Sequence, residues 1–111
     1  MTAPTREWED NSRFPMHGPP MSTIRNVGVI GAGTMGNGIA IAALDAGYEV
    51  LLLEQEAAAL ERGASRIHAH YASRVQTGKL SASGAAAVEA RLQTSLDWAD
   101  LALADLVIEA V

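Results

Sequence analysis

Apolar positions along this chain switch between two periods, and the switches lay out an order of strands and helices. Ile24 to Ile30 is a short run rich in β-branched residues that stops at Gly31, as a buried parallel strand does. From Thr34 to Ala46 the residues Met35, Ile39, Ala42, Ala43 and Leu44 give a broad helical stripe, and Gly47 stands where a helix stops. Tyr48 to Leu53 predicts a second strand. Glu56 to Val75 places Leu60, Ala64, Ile67, Tyr71 and Val75 at helical intervals, with Arg62, Arg66 and Arg74 on other, solvated faces. After a turn at Gln76 to Lys79, Ser81 is placed to cap another helix through about Leu92. Gly84 occupies the position where a capping box carries Glu, so the start of that helix is expected to fray. Leu92 to Ser95 predicts a third strand, Asp97 to Leu101 a helical turn with Trp98 as a packing residue, and Asp105 to Val111 a fourth strand.

The first 23 positions differ in kind. They hold all four prolines, with Glu7, Glu9 and Asp10 among Arg6 and Arg13, and read as a disordered tail ahead of one domain from 24 to 111. The tail lacks the apolar centre of a signal peptide, and its three acids argue against a mitochondrial presequence. Met21 leads directly into the first strand and is the expected natural start.

Composition narrows the partners. Nearly half of the 111 residues are apolar and 19% are charged, as in a soluble α/β protein, and a cytoplasmic location is expected. No run is long and apolar enough to imply a membrane partner. The net charge of −5, with no basic stripe, excludes nucleic acid. Zero cysteines exclude disulfides and the usual zinc sites. His17 lies in the tail, while His68 and His70 are two apart on a helix and face different directions. No metal ligand set and no catalytic base are therefore expected in this span.

The candidate chemistry lies between the first two strands. Gly31-Ala32-Gly33-Thr34-Met35-Gly36 is a G-x-G-x-x-G loop joining a strand to a helix, and Glu54 closes the second strand 23 residues beyond Gly31. The three glycines act differently. Gly31 makes the tight turn, Gly33 lets backbone approach a pyrophosphate, and Gly36 lets helix and sheet pack closely. The unpaired N–H groups at the helix start, around Gly33 and Thr34, receive a diphosphate without a lysine. Glu54 accepts hydrogen bonds from ribose hydroxyls and repels a 2′-phosphate; Gln55, Glu56 and Ala57 follow it with no arginine. The predicted cofactor is NAD rather than NADP, held by Gly31, Ala32, Gly33, Thr34, Met35, Gly36, Glu54 and Gln55.

The fold class that follows is α/β: a Rossmann-type doubly wound parallel sheet, incomplete at strands 1 to 4, with a helical pair between strands 2 and 3. In the order 3-2-1-4, strand 4 lies beside strand 1 and brings Glu109, Ala110 and Val111 near the glycine loop. Backbone at Ala110 and Val111 is expected to line the nicotinamide side, with Glu109 finishing the strand. The outer edge of strand 4 is bare, which invites self-association.

The segments Gly31-Ala32-Gly33-Thr34-Met35-Gly36-Asn37-Gly38-Ile39-Ala40, Ala46-Gly47-Tyr48-Glu49-Val50 and Ala104-Asp105-Leu106-Val107-Ile108-Glu109-Ala110-Val111 resemble the amino-terminal NAD-binding domain of 3-hydroxyacyl-CoA dehydrogenases, among them the 3-hydroxybutyryl-CoA dehydrogenases. The resemblance runs from about Ile24 to Val111. It implies NAD-dependent oxidation of a 3-hydroxyacyl-CoA to a 3-ketoacyl-CoA in fatty acid metabolism. In that family the catalytic pair, a histidine held by a glutamate, follows this region, so this chain alone is expected to be inactive and to meet an acyl-CoA only when completed by a C-terminal part. Glu54 stands where the family more often has Asp. His70 and Thr77 stand near the usual CoA-contacting serine and lysine positions, leaving Lys79 as the candidate for that contact. The alternatives are a stand-alone, non-catalytic NAD-binding module, an inert truncated product, or the cofactor domain of another β-hydroxyacid dehydrogenase, whose loop usually begins Gly-Leu-Gly.

Overall fold

A computed structural model describes residues 23–111; the expected tail and the start at Met21 lie outside the described residues. The elements in order are β1 (Asn26–Ile30), α1 (Thr34–Asp45), β2 (Glu49–Leu53), α2 (Ala57–Gln76), α3 (Ala82–Glu89), β3 (Leu92–Ser95), a 3₁₀ segment (Trp98–Leu103) and β4 (Leu106–Glu109). The four strands form one parallel sheet in the order β3-β2-β1-β4, as expected of a doubly wound half. Among the described residues no helix is long and apolar enough to cross a membrane.

Element ends differ from the sequence reading where sheet pairing or caps intervene. β1 begins at Asn26 rather than Ile24, and the Asp105 carboxylate accepts the N–H groups of Arg25 and Asn26, both at 2.9 Å, at its start. α3 stops at Glu89 rather than near Leu92 because the carbonyl of Arg91 already accepts the N–H of Val50 from β2. Its first turn is capped: the Ser81 hydroxyl accepts the N–H of Gly84 at 3.0 Å without any help from a glutamate. β4 ends at Glu109, two residues early, after which Ala110 donates a last N–H to Ile30.

One face of the sheet carries the core. Val27 and Val29 of β1 stand in register with Val50 and Leu52 of β2, and all four are buried against Ala40 and Leu44 of α1, Ile67 and Tyr71 of α2 and Ala85 of α3. Tyr71 is fully buried, with its hydroxyl donating to Asp45 at 2.7 Å. Burial and the Asp45 carboxylate push its phenol above the ordinary value, so it remains a donor.

The stripe read for α1 needs correction. Its buried residues are Gly36, Asn37, Ala40 and Leu44, whereas Met35 is 66% exposed and Ala42 also faces solvent. The helix meets the sheet through its smallest side chains: a Cβ on Gly36 would fall on the carbonyl of Gly31. On the opposite sheet face, Leu101 of the 3₁₀ segment and Ala104 just after it close over Gly28, where an added Cβ would lie 3.0 Å from Leu101. Leu106 and Val107 of β4 remain exposed.

Candidate functional site

The carboxyl ends of β1, β2 and β4 converge on the glycine loop. Gly31 turns the chain out of β1 with φ +106°, a conformation L-residues rarely adopt, and its N–H is held by the carbonyl of Leu53 at 2.8 Å. The end of β4 closes on the same point: a Cβ on Gly31 would meet Val111 at 2.9 Å and the Ala110 carbonyl at 3.1 Å. Gly36 lies beneath the loop, and α2 approaches from behind through Gly63, whose Cβ would come within 2.6 Å of the Ala32 carbonyl.

The opening of α1 is unencumbered. Gly33 is its N-cap, with no side-chain cap and no acid in the first turn, and a Cβ on Gly33 would find open space within 4 Å. Thr34 and Met35 are exposed beside it. The first-turn N–H groups and the positive end of the helix dipole are thus available to an anion, which is the fit a pyrophosphate requires.

Glu54 is tied back to this loop. Its Oε1 accepts the N–H of Ala32 at 2.9 Å and its Oε2 the N–H of Gln55 at 2.8 Å. The Ala32 N–H, then that of Gln55, hold the carboxyl below its ordinary value, against a smaller opposing effect of burial. Each oxygen keeps a further lone pair for a hydroxyl donor. Ile30, Gly31, Glu54, Gln55, Trp98, Glu109 and Val111 together line a crevice of about 300 Å³.

The structure therefore brings Gly31, Glu54, Gln55 and Val111 to one crevice, buries Ala32 and Gly36 beneath it, and leaves Gly33, Thr34 and Met35 on the exposed first turn of α1. Ala110 is half-buried with its carbonyl against Gly31. Trp98 is not the packing residue expected: it is 48% exposed and forms part of the crevice wall. Glu109 likewise reaches the crevice as well as ending β4. Sequence reasoning does not single out Gly63, although a glycine inside an amphipathic helix signals close approach. Nor does it single out Asn37, which is buried with both polar atoms of its amide lacking a hydrogen-bond partner.

Other features stand apart from this site. A depression of about 230 Å³ at the amino ends of the strands, lined in part by Asn26, Glu49, Arg91 and Gln93, contains none of the candidate residues. His68 pairs with Glu89 at 2.7 Å, while His70 stands edge-on to Tyr71, so the two histidines do not converge. Among the described residues no group of three or more His, Cys, Asp or Glu could hold a metal ion.

Comparison with known proteins yields a consistent set. The family model for the NAD-binding domain of 3-hydroxyacyl-CoA dehydrogenase matches residues 26–111. The 3-hydroxyadipyl-CoA dehydrogenase of Escherichia coli K12 is 48% identical over 90 residues, which cover 81% of this chain and 19% of that protein. The 3-hydroxybutyryl-CoA dehydrogenase of Bradyrhizobium diazoefficiens is 39% identical over 88 residues, 79% of this chain and 30% of that protein. The crystal structure of (S)-3-hydroxybutyryl-CoA dehydrogenase from Ralstonia eutropha superposes with a TM-score of 0.75 at 38% identity, covering 79% of this chain and 31% of that one. This chain thus spans between 19% and 31% of the length of these relatives.

Proposed function

The chain belongs to the 3-hydroxyacyl-CoA dehydrogenase family, matching its NAD-binding domain over residues 26–111 as a fragment of that domain; from that premise we propose that it holds NAD for the oxidation of a 3-hydroxyacyl-CoA to the 3-ketoacyl-CoA. The observation that carries this reading is the meeting of Gly31, Glu54 and Val111 in one crevice beside the uncapped start of α1.

NAD, when bound, supplies the hydride acceptor. Each residue's part in holding it follows from its place. Gly31 and Gly36 shape the loop, and the N–H groups of Gly33, Thr34, Met35 and Gly36 face the pyrophosphate. Ala32 carries the N–H that fixes Glu54. Glu54 and Gln55 receive the adenosine ribose, where the acid disfavours a 2′-phosphate. Ala110 and Val111 edge the nicotinamide side. The acidic crevice wall supplied by Glu54 and Glu109 includes no histidine. Removing the substrate's hydroxyl proton therefore falls to groups outside this span, and the chain alone binds without turnover.

Residues 24–111 act as one cofactor-binding unit in this reading. The exposed Leu106 and Val107 on the edge strand β4 favour contact with a second chain, which sedimentation velocity across a concentration series tests. Amide NMR of the labelled chain titrated with NAD tests the site itself. Shifts should gather at residues 31–36, 54, 55, 110 and 111. Shifts gathered instead around Asn26, Glu49 and Gln93 would overturn the assignment.

A further inference from the structure

The dinucleotide loop does not account for one wall of the crevice, the indole of Trp98. A lone exposed aromatic side chain needs no explanation by itself. Here its position and its support do. Trp98 opens the 3₁₀ segment immediately after β3 and lines the same crevice as Gly31, Glu54 and Gln55 while remaining 48% exposed. The backbone beneath it is firmly held. The Asp97 carboxylate accepts the N–H of Ala99 at 2.9 Å. The Ser95 hydroxyl donates to Asp100 at 2.6 Å and accepts the N–H of Asp97 at 2.9 Å. The Ser95 carbonyl in turn accepts the N–H of Glu54 at 3.2 Å, which joins the tryptophan's turn to the ribose acid.

The shared crevice gives the position. A ribose held at Glu54, on the end of β2, leaves its base beside Glu54 and Gln55, in the crevice whose wall Trp98 supplies. An adenine ring has two apolar π faces and an indole offers a broad, rigid one, so the two gain by stacking as water leaves. We infer that Trp98 is the platform for the adenine ring of the cofactor, a binding residue additional to the glycine loop and Glu54. This inference rests on the dinucleotide reading above and adds to it a contact that recognises the base rather than the ribose.

The chain has two tryptophans, Trp8 and Trp98, so a W8F variant leaves Trp98 as the sole indole. In that background, ADP-ribose, which lacks nicotinamide, should quench indole emission saturably, and nicotinamide mononucleotide, which lacks adenosine, should not. W98A should weaken NADH binding about tenfold by calorimetry, while W98F should retain most of the affinity because it keeps an aromatic face. Both variants should keep the wild-type preference for NADH over NADPH, which belongs to Glu54. Circular dichroism shows whether each variant is folded; if W98A is not, the ADP-ribose quench and W98F decide. NADH binding with unchanged indole emission and undiminished affinity in W98A would overturn the role of Trp98 alone. Failure of the folded wild-type chain to bind NADH would overturn the dinucleotide reading and this inference with it.

Discussion

Glu54 and Ala32 lie 22 positions apart in the chain and are joined by a 2.9 Å hydrogen bond from the Ala32 N–H to Oε1 of the glutamate. The acid at the end of β2 thereby fixes the middle of the glycine loop; in the proposed reading one group serves both the ribose and the loop that faces the pyrophosphate. A glutamate reaches one methylene farther than an aspartate would. Here that reach places one oxygen on the loop and the other on the N–H of Gln55.

Replacing Glu54 should therefore disturb two things at once. E54A is expected to weaken NADH binding by about 1.5–3 kcal/mol, the range for hydrogen bonds to a charged group, and to narrow the preference for NADH over NADPH. E54Q keeps the side-chain length and should fall between E54A and wild type. Fluorescence titrations of the three chains with both cofactors check this.

The same bond sets a pH dependence. The Glu54 carboxyl is depressed below its ordinary value of 4.5, chiefly by the Ala32 N–H. A depressed carboxyl contributes its full stabilisation above the unfolded value and loses it as pH falls through the folded value. The amide shift of Ala32 should accordingly follow the Glu54 carboxyl, with the midpoint of its acid step below the ordinary value of 4.5. In E54Q that acid step in the Ala32 shift should vanish.

Two nearby glycines of α1 should respond with opposite signs. Gly36 has no room for a methyl group, because its Cβ would fall on the Gly31 carbonyl, a backbone atom that cannot step aside. G36A is expected to destabilise the chain by at least about 2 kcal/mol and to abolish NADH binding. Gly38 is exposed with nothing within 4 Å of its Cβ, so G38A should stabilise by about 0.5–1 kcal/mol with unchanged affinity. Urea denaturation of both variants decides the signs.

Gly63 offers a test from outside the loop. A Cβ there would sit 2.6 Å from the Ala32 carbonyl and 2.7 Å from its Cβ. G63A should cost about 1–3 kcal/mol of stability. It should also lower NADH affinity by pushing the loop from behind, although Gly63 contributes no group to the crevice. Calorimetry of the folded variant separates the two effects.

The strand order and the loop were legible because their signals are local: apolar runs ending at fixed distances from Gly31 and Glu54. The buried face of α1 was not. Met35, Ile39, Ile41, Ala42 and Leu44 make that helix apolar nearly all round, so periodicity cannot choose a face; the close approach at Gly36 chooses it instead. Gly63 carried a signal, but its partner Ala32 is distant in sequence and only the packing of α2 brings them together. Trp98 misled because size and hydrophobicity argue for burial, whereas its position at the end of β3 puts it on the crevice wall.

Titration of the purified chain with NADH, against NADPH as the matched control, tests the central claim most directly. The account predicts saturable binding of NADH at least about tenfold tighter than NADPH, a difference of roughly 1.4 kcal/mol arising at Glu54. A folded chain that binds neither cofactor, or binds both equally, would contradict it.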